Sequence, residues 1–480
     1  MIKSIKKEGV GMLLPNYKEA QKRTKSEVKK EFYDISDSFK LLGLGKTYYV
    51  KTYGCQMNEH DSENIKAMLE QMSFKEASDY EKADLVILNT CSIRENAHNK
   101  TFGMLGRLKH LKEENKNLVV GLCGCMAQEE KVVKDIMSKY KWVNFVFGTH
   151  NIHRLPYILS ESFDTKKQEI EVYSKEGNIV EGIPVKRENK YKAYVNIMYG
   201  CDKFCTYCIV PYTRGKQRSR DKDDILKEIN ELVKEGYQEV TLLGQNVNAY
   251  GKDFDYDYNL ENLLEDVSKT NIPRVRFMTS HPWDFTDGML EVIKKYPNIM
   301  PAIHLPVQSG SSRILKLMGR KYTKEEYITL FDKIKKIPNV SVSTDIIVGF
   351  PNETEEDFNE TLDLVNYCKY DNAYTFIFSP RENTPAAKMK DDVPLKVKEE
   401  RLARLNETVN KYFLENNKKL VGKTVKVLLE GESEKKGMLF GYTDTNKLIN
   451  VEADSNLIGK IIDVEVVEAK TWSLDGKAKI

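Results

Sequence analysis

The stretch Tyr199-Gly-Cys201-Asp-Lys-Phe-Cys205-Thr-Tyr207-Cys208 carries three thiols at spacings of four and three residues. One loop with that spacing can hold one metal centre. A zinc ribbon or finger takes four ligands in two separated pairs, and here no fourth Cys or His follows just downstream. Three ligands leave a coordination position open. An iron-sulfur cluster held by three thiolates keeps one iron free for a substrate or cofactor, whereas four-Cys clusters only carry electrons. A structural zinc loop, or chance clustering, is the bland alternative.

Such a loop needs a scaffold. From Lys46 the chain alternates apolar runs with helix-length polar and apolar segments, and Thr47–Tyr53, Asp84–Asn89, Leu118–Cys123 and Val143–Phe147 read as strands of an open parallel α/β sheet. In these sheets ligands sit beyond the carboxyl ends of the strands, and Cys55, Cys91 and Cys125 each fall there after a different strand. They are expected to converge into a second three-thiol site, again with one open position. Three unrelated buried cysteines are the alternative. Strand alternation should turn Cys123 away from Cys125 and into a core, or leave it a spare ligand at most; Cys368, on a helical segment, reads as core.

Six further strands, Lys192–Met198, Glu239–Gly244, Arg274–Met278, Ala302–Pro306, Val340–Ile347 and Ala373–Phe378, alternate with helix-length segments. They suit a partial (βα)6 barrel, and the Cys201 to Cys208 loop follows its first strand, at the end where α/β barrels carry reactive loops. After a helical stretch, Thr424–Leu429, Gly437–Tyr442, Leu448–Val451 and Ile461–Val466 are short strands between turn residues, which suggests a small β-barrel of the oligonucleotide-binding kind or a structural cap. The expected organisation is an α/β multidomain chain: a mobile basic extension over 1–45, the open sheet over 46–164, a connector or hairpin over 165–186, the barrel over 187–417 and the small β-barrel over 420–480.

Composition bounds the partners. With 480 residues, 40% hydrophobic and 31% charged, the chain is long enough for two to four domains. No apolar run reaches the roughly 18 residues of a membrane span, and the start lacks a signal peptide's apolar core, so a cytoplasmic location and reduced thiols are expected for the eight cysteines. The net charge of +3 neither demands nor excludes nucleic acid. From Val421 onward nine lysines face ten carboxylates, so the small barrel is not basic. Arg214, Lys216, Arg218 and Arg220 form the best local basic patch for RNA phosphates, a solvated surface run being the alternative. His281 and His304 are candidate substrate contacts or hydrogen-bonded structural histidines.

The cysteine loop, with an aromatic before its last Cys, resembles the radical S-adenosylmethionine (SAM) superfamily. The order of parts, with the strings Thr52-Tyr-Gly-Cys55-Gln-Met-Asn58, Asn89-Thr-Cys91-Ser-Ile-Arg94, Gly244-Gln-Asn-Val-Asn248, His304-Leu-Pro-Val-Gln-Ser-Gly310 and Asp345-Ile-Ile-Val-Gly349-Phe-Pro, is similar to the radical SAM methylthiotransferases. That resemblance implies two 4Fe-4S clusters, on Cys55, Cys91 and Cys125 (auxiliary) and on Cys201, Cys205 and Cys208 (radical SAM), and a C-terminal TRAM domain. It implies SAM held near Tyr207, Gly244, Gln245, Asn246, Ser309, Gly310 and Gly349. One SAM would methylate a sulfur on the auxiliary cluster's open iron, and a second would give the radical that starts methylthio transfer.

The flanking strings favour C2 of a prenylated adenosine at tRNA position 37 as substrate. Threonylcarbamoyl-adenosine in tRNA, a ribosomal-protein aspartate, or a non-catalytic zinc-stabilised RNA-binding role are the alternatives. The implied partners are the tRNA, a flavodoxin- or ferredoxin-like electron donor and sulfur-delivery or cluster-assembly proteins, with a monomer expected. Where the family has Pro-Gly-Glu-Thr and Arg-Pro-Gly-Thr-Pro, this chain has Pro351-Asn352-Glu-Thr354 and Arg381-Glu-Asn383-Thr-Pro385. Asn tolerates left-handed backbone, so both turns should persist.

Overall fold

The structure, a computed structural model, describes residues 12–21, 28–92, 95–165, 167–175 and 177–479. It divides into two compact units, and the chain passes between them at the cysteine loop. One unit comprises residues up to Glu188 with Tyr199–Lys203 and Ile209–Arg218; the other comprises Asn189–Met198, Phe204–Cys208 and Ser219–Ile480.

The first unit is built on a parallel six-stranded sheet. Its order is Lys75–Glu76, Thr47–Tyr53, Leu85–Thr90, Val119–Gly124, Phe145–Phe147 and Glu169–Glu171. Leu85–Thr90 and Val119–Gly124 are buried at every residue, as central strands covered on both faces must be. Val86, Leu88, Val120 and Leu122 pack on one face with Leu105, Leu108 and Ile136. Leu85, Ile87, Val119 and Cys123 pack on the other with Ile65, Met68 and Leu159. Cys123 is thus a core residue, and burial pushes its thiol well up.

Two expectations change here. The described part of 12–45 is not a free extension: Leu13 bridges Glu171, Tyr17 packs edge-on against Tyr212, and Lys30–Phe32 pairs in parallel with Ile179–Glu181. The connector is not a hairpin either, since Glu169–Glu171 completes the main sheet and Ile179–Glu181 pairs with the early strand. These three-residue strands are too short to show a hydrophobic period.

The second unit holds six parallel strands in two groups of three. They run Lys192–Asn196, Glu239–Leu243, Arg274–Phe277 and then Ala302–His304, Ser341–Val348, Asn372–Ile377, and the Val275 to Ile299 bridge lies between the groups. Val195, Val240, Leu242, Val275, Ile303, Val342 and Ile346 face an outer layer of helices, and Cys368 lies in that same core. Several helix starts are capped by side chains, with Thr323 and Glu326, and Thr354 and Asp357, forming capping boxes.

The C-terminal five strands close into a barrel around Val427, Leu429, Ile449, Val451, Val464 and Leu474. Its fifth strand, Leu474–Ala478, was not among those expected: Asp, Gly and Lys give it no apolar alternation. Asn352 and Asn383 have φ of 68° and 67°, so both turns persist with Asn in the left-handed region. Among the described residues no helix is long and apolar enough to cross a membrane.

Candidate iron-sulfur centres

The auxiliary site follows from strand register. Tyr53, Thr90 and Gly124 stand side by side on three adjacent strands, so Cys55, Cys91 and Cys125 leave the sheet at one edge. Cys55 caps the helix Gln56–Gln71, where the exposed N–H groups favour a thiolate. A buried amide network sets the spacing of the strand ends. Asn89 Nδ2 donates to the Asn58 carbonyl at 2.8 Å and to Ser62 Oγ at 2.9 Å, while Asn58 Nδ2 donates to Asn89 Oδ1 at 3.2 Å and to the Thr90 carbonyl at 3.3 Å. Thr90 Oγ1 reaches across to the Cys123 carbonyl at 2.7 Å. Gly124, at φ 89°, needs to be glycine, because a Cβ would lie 2.4 Å from both Asn89 Oδ1 and the Thr90 carbonyl.

The electrostatics differ between the thiols. A hydrogen bond with Cys91 draws the Cys55 thiol down to about 6, against burial, with help from the Arg214 charge and the N–H groups of Asn58 and Met57. Burial raises the Cys125 thiol, and Arg214 opposes that shift. Arg214 Nε–H points at Cys125 Sγ at 3.3 Å, and its Nη2 donates to Asp61 at 2.5 Å. Among the described residues no three His, Cys, Asp or Glu groups are drawn in as tightly as the ligands of one metal ion. Three thiolates on three corners of a cuboidal cluster bind three different irons and need no such closeness. Soft donors, two of them buried and the third half-buried, beside a fixed cation and a helix N-terminus fit an anionic cluster.

Around the second set, Cys201 belongs to the first unit. Its N–H donates to the Gly215 carbonyl at 3.1 Å, and Gln217 N–H donates to Asp202 at 3.0 Å. Cys205 and Cys208 belong to the second unit, where Cys208 N–H donates to the Cys205 carbonyl at 3.0 Å. Thr206 fixes them: its N–H and Oγ1 donate to the Met318 and Leu317 carbonyls, each at 2.9 Å. Tyr207 is half-buried against Ile314, Met318 and Phe350. Arg320, buried, aims Nη1 at Cys205 Sγ at 3.5 Å while Nη2 holds the Pro306 carbonyl at 2.7 Å. Sequence reasoning missed Arg320; a lone Arg in Met318-Gly-Arg320-Lys gives no sign that it faces a cysteine more than a hundred residues away.

The residues expected to hold SAM divide into two kinds. Gly244, Gln245 and Asn246 lie at the end of Glu239–Leu243, as expected. Asn246 is buried, with its Nδ2 on Asp284 at 2.6 Å and its Oδ1 without a protein partner. The N–H groups of Gly310 and Gly349 are already taken, by Thr361 Oγ1 at 2.9 Å and Glu353 at 2.6 Å, so these glycines serve close packing. Ser309 Oγ lies near Thr361 and accepts from Ser311 N–H.

The basic run is not an exposed patch. Arg214, Arg218 and Arg220 are buried, and only Lys216 is partly exposed. Arg218 donates to the Gly177 and Arg214 carbonyls, and Arg220 to the Asn196 carbonyl and Glu228. A guanidinium buried in such company serves as a structural donor, not as an exposed phosphate contact. His281 accepts from Trp283 N–H, and His304 sits between Ser343 at 3.0 Å and Asp345 at 3.5 Å. Ile93 and Arg94 of the Cys91 string lie outside the described residues.

Comparison with known proteins defines the class. Residues 195–365 match the Radical SAM superfamily, 47–148 the Uncharacterized protein family UPF0004 and 418–479 the TRAM domain. The fold is similar to that of the radical S-adenosylmethionine methyltransferase TsrM from Kitasatospora setae, solved with cobalamin and a 4Fe-4S cluster bound. The TM-score is 0.51 at 12% identity, covering 71% of this chain and 77% of that one. Two relatives named tRNA-2-methylthio-N(6)-dimethylallyladenosine synthase are each 56% identical over 467 residues. That of Staphylococcus epidermidis aligns over 96% of this chain and 91% of its own length, and that of Bacillus cytotoxicus over 96% and 92%. The chain belongs to this family of radical SAM tRNA methylthiotransferases.

Proposed function

We propose that the chain replaces the C2 hydrogen of N6-dimethylallyladenosine, next to the anticodon of tRNA, with a methylthio group. The observation that carries this reading is the convergence of Cys55, Cys91 and Cys125 on one sheet edge in a chain that also bears the Cys201, Cys205, Cys208 loop. The C2 carbon is neither acidic nor electrophilic enough for ordinary acid-base chemistry, so the reaction calls for a radical and hence a cofactor. When bound, the radical SAM cluster supplies the electron that cleaves SAM, and the auxiliary cluster supplies an iron that carries the sulfur.

This chain's own residues divide the work. Cys55, Cys91 and Cys125 hold the auxiliary cluster, with Asn58, Asn89 and Thr90 fixing their separation. Cys201, Cys205 and Cys208 hold the other cluster, with Thr206 and Arg320 bracing Cys205. Tyr207 and the strand end Gly244 to Asn246 would hold SAM, while Ser309, Gly310 and Gly349 shape the later strand ends by packing. The domains run 46–164, 187–417 and 420–480, and the last meets RNA through shape or a local patch, since its overall charge is balanced. An electron donor, a source of sulfur and a cytoplasmic location complete the reading.

The test is mass spectrometry of tRNA nucleosides from cells lacking this chain, complemented with wild type or Cys125→Ala. Loss of 2-methylthio-N6-dimethylallyladenosine, accumulation of its unthiolated precursor and rescue by wild type alone are expected. An unchanged level of that nucleoside, with loss of methylthiolated threonylcarbamoyl-adenosine or of a ribosomal aspartate's mark, would refute the substrate.

A further inference from the structure

Arg214 was expected at the surface, and its burial gives it another role. Its side chain is only 6% exposed, and the two groups it reaches are Cys125 and a carboxylate side chain that is itself 5% exposed. A buried cation is tolerated only where it is paired and hydrogen-bonded. Asp61 alone would satisfy a salt bridge, yet the fork of the guanidinium is turned so that Nε–H meets Cys125 Sγ. Arg320 beside Cys205 differs: its other donors go to the Pro306 carbonyl and the Tyr322 hydroxyl, with no carboxylate among them. The auxiliary site thus has a cation at a ligand sulfur and an anion behind that cation.

We propose that Arg214 and Asp61 are a positioning pair that sets the redox poise of the auxiliary cluster. The inference rests on Cys55, Cys91 and Cys125 being that cluster's ligands. One-electron reduction, by any external one-electron donor, adds one negative charge to the cluster and breaks no bond. A permanent guanidinium within hydrogen-bond reach of a ligand sulfur stabilises the more negative state in a pocket that screens poorly. Asp61 trims that bias. The guanidinium keeps its proton at any working pH, so the bias does not titrate away. Gly215, the next residue, accepts the Cys201 N–H, so the same turn that holds Arg214 on Cys125 also holds the first cysteine of the other set.

The test uses the full chain with Cys201, Cys205 and Cys208 replaced by alanine, so that only the auxiliary cluster signals, and reads its midpoint potential by redox titration followed by electron paramagnetic resonance. Arg214→Met should shift the reduction equilibrium about tenfold toward the oxidised form, about 59 mV more negative for one electron. Asp61→Asn should shift it the other way, and Arg214→Lys should restore most of the Met shift. Opposite signs from neighbouring substitutions are not a consequence of loosened packing. If Arg214→Met fails to assemble the cluster, Asp61→Asn and Arg214→Lys still decide. Potentials that stay put, or that move the same way in the Asn and Met variants, would overturn the proposal. A chain with no iron at this site would overturn the ligand reading and the proposal together.

Discussion

Asn89→Ala tests whether the amide network builds the auxiliary site. Asn89 is fully buried, and the substitution removes two donated hydrogen bonds and one accepted bond between the strand Leu85–Thr90 and the helix Gln56–Gln71. Part of the loss is cushioned. Asn58 Nδ2 keeps the Thr90 carbonyl, and Ser62 Oγ keeps Thr52. At about 1 kcal/mol net per bond, plus a small cavity, the local cost is about 3 kcal/mol. Because a chain of two units need not unfold in one step, hydrogen exchange is the better assay. Amides of the helix Gln56–Gln71 should exchange roughly a hundredfold faster in the cluster-free variant, and the reconstituted chain should lose iron from the auxiliary site while keeping the other cluster. Protection within a factor of about three of wild type, with full iron, would refute the claim that this network spaces the cysteines.

Three further outcomes follow. Burial pushes the Glu353 carboxyl up to about 7, against the Gly349 N–H and Arg401, from an ordinary 4.5. A folded value above the unfolded one means stability falls as pH rises from about 4.5 to about 7 and is flat above, by at most about 3 kcal/mol; Glu353→Gln should flatten that slope in thermal unfolding, and identical slopes would count against it. Arg274 donates to the Tyr442 and Lys426 carbonyls at 3.0 and 2.9 Å, so Arg274→Met should cost about 3 kcal/mol and hasten proteolysis within 420–480; unchanged cleavage rates would sink this. Cys123→Ser should lower stability and leave iron content intact, whereas Cys125→Ser should lose the auxiliary iron. Stoichiometric zinc and no labile sulfide in the anaerobically purified wild type would contradict both.

What the sequence revealed depended on how local the cause was. Parallel strands and their carboxyl ends are local signals, so Cys55, Cys91 and Cys125 were legible as a group, and strand alternation separated Cys123 from them. The left-handed turns at Asn352 and Asn383 were legible for the same reason. The pairing of Lys30–Phe32 with Ile179–Glu181 was not, because an exposed three-residue strand carries no period. Nor was the burial of Arg214: its partners lie 153 and 89 residues away, and charge in a sequence does not announce its partner. Gly310 and Gly349 looked like cofactor-binding backbone, yet a Cβ there would strike the helix Glu355–Cys368 and the Lys398 side chain. Packing alone requires glycine at both positions.

The most direct measurement is a single-turnover reaction under anaerobic conditions, with reconstituted chain, SAM, a one-electron reductant and an anticodon stem-loop RNA carrying N6-dimethylallyladenosine. Wild type should convert the base to its 2-methylthio form, while Cys125→Ala should still cleave SAM to 5′-deoxyadenosine and leave the base without sulfur. Methylthiolated base from Cys125→Ala, or none from a wild type that binds both clusters and cleaves SAM, would contradict the account.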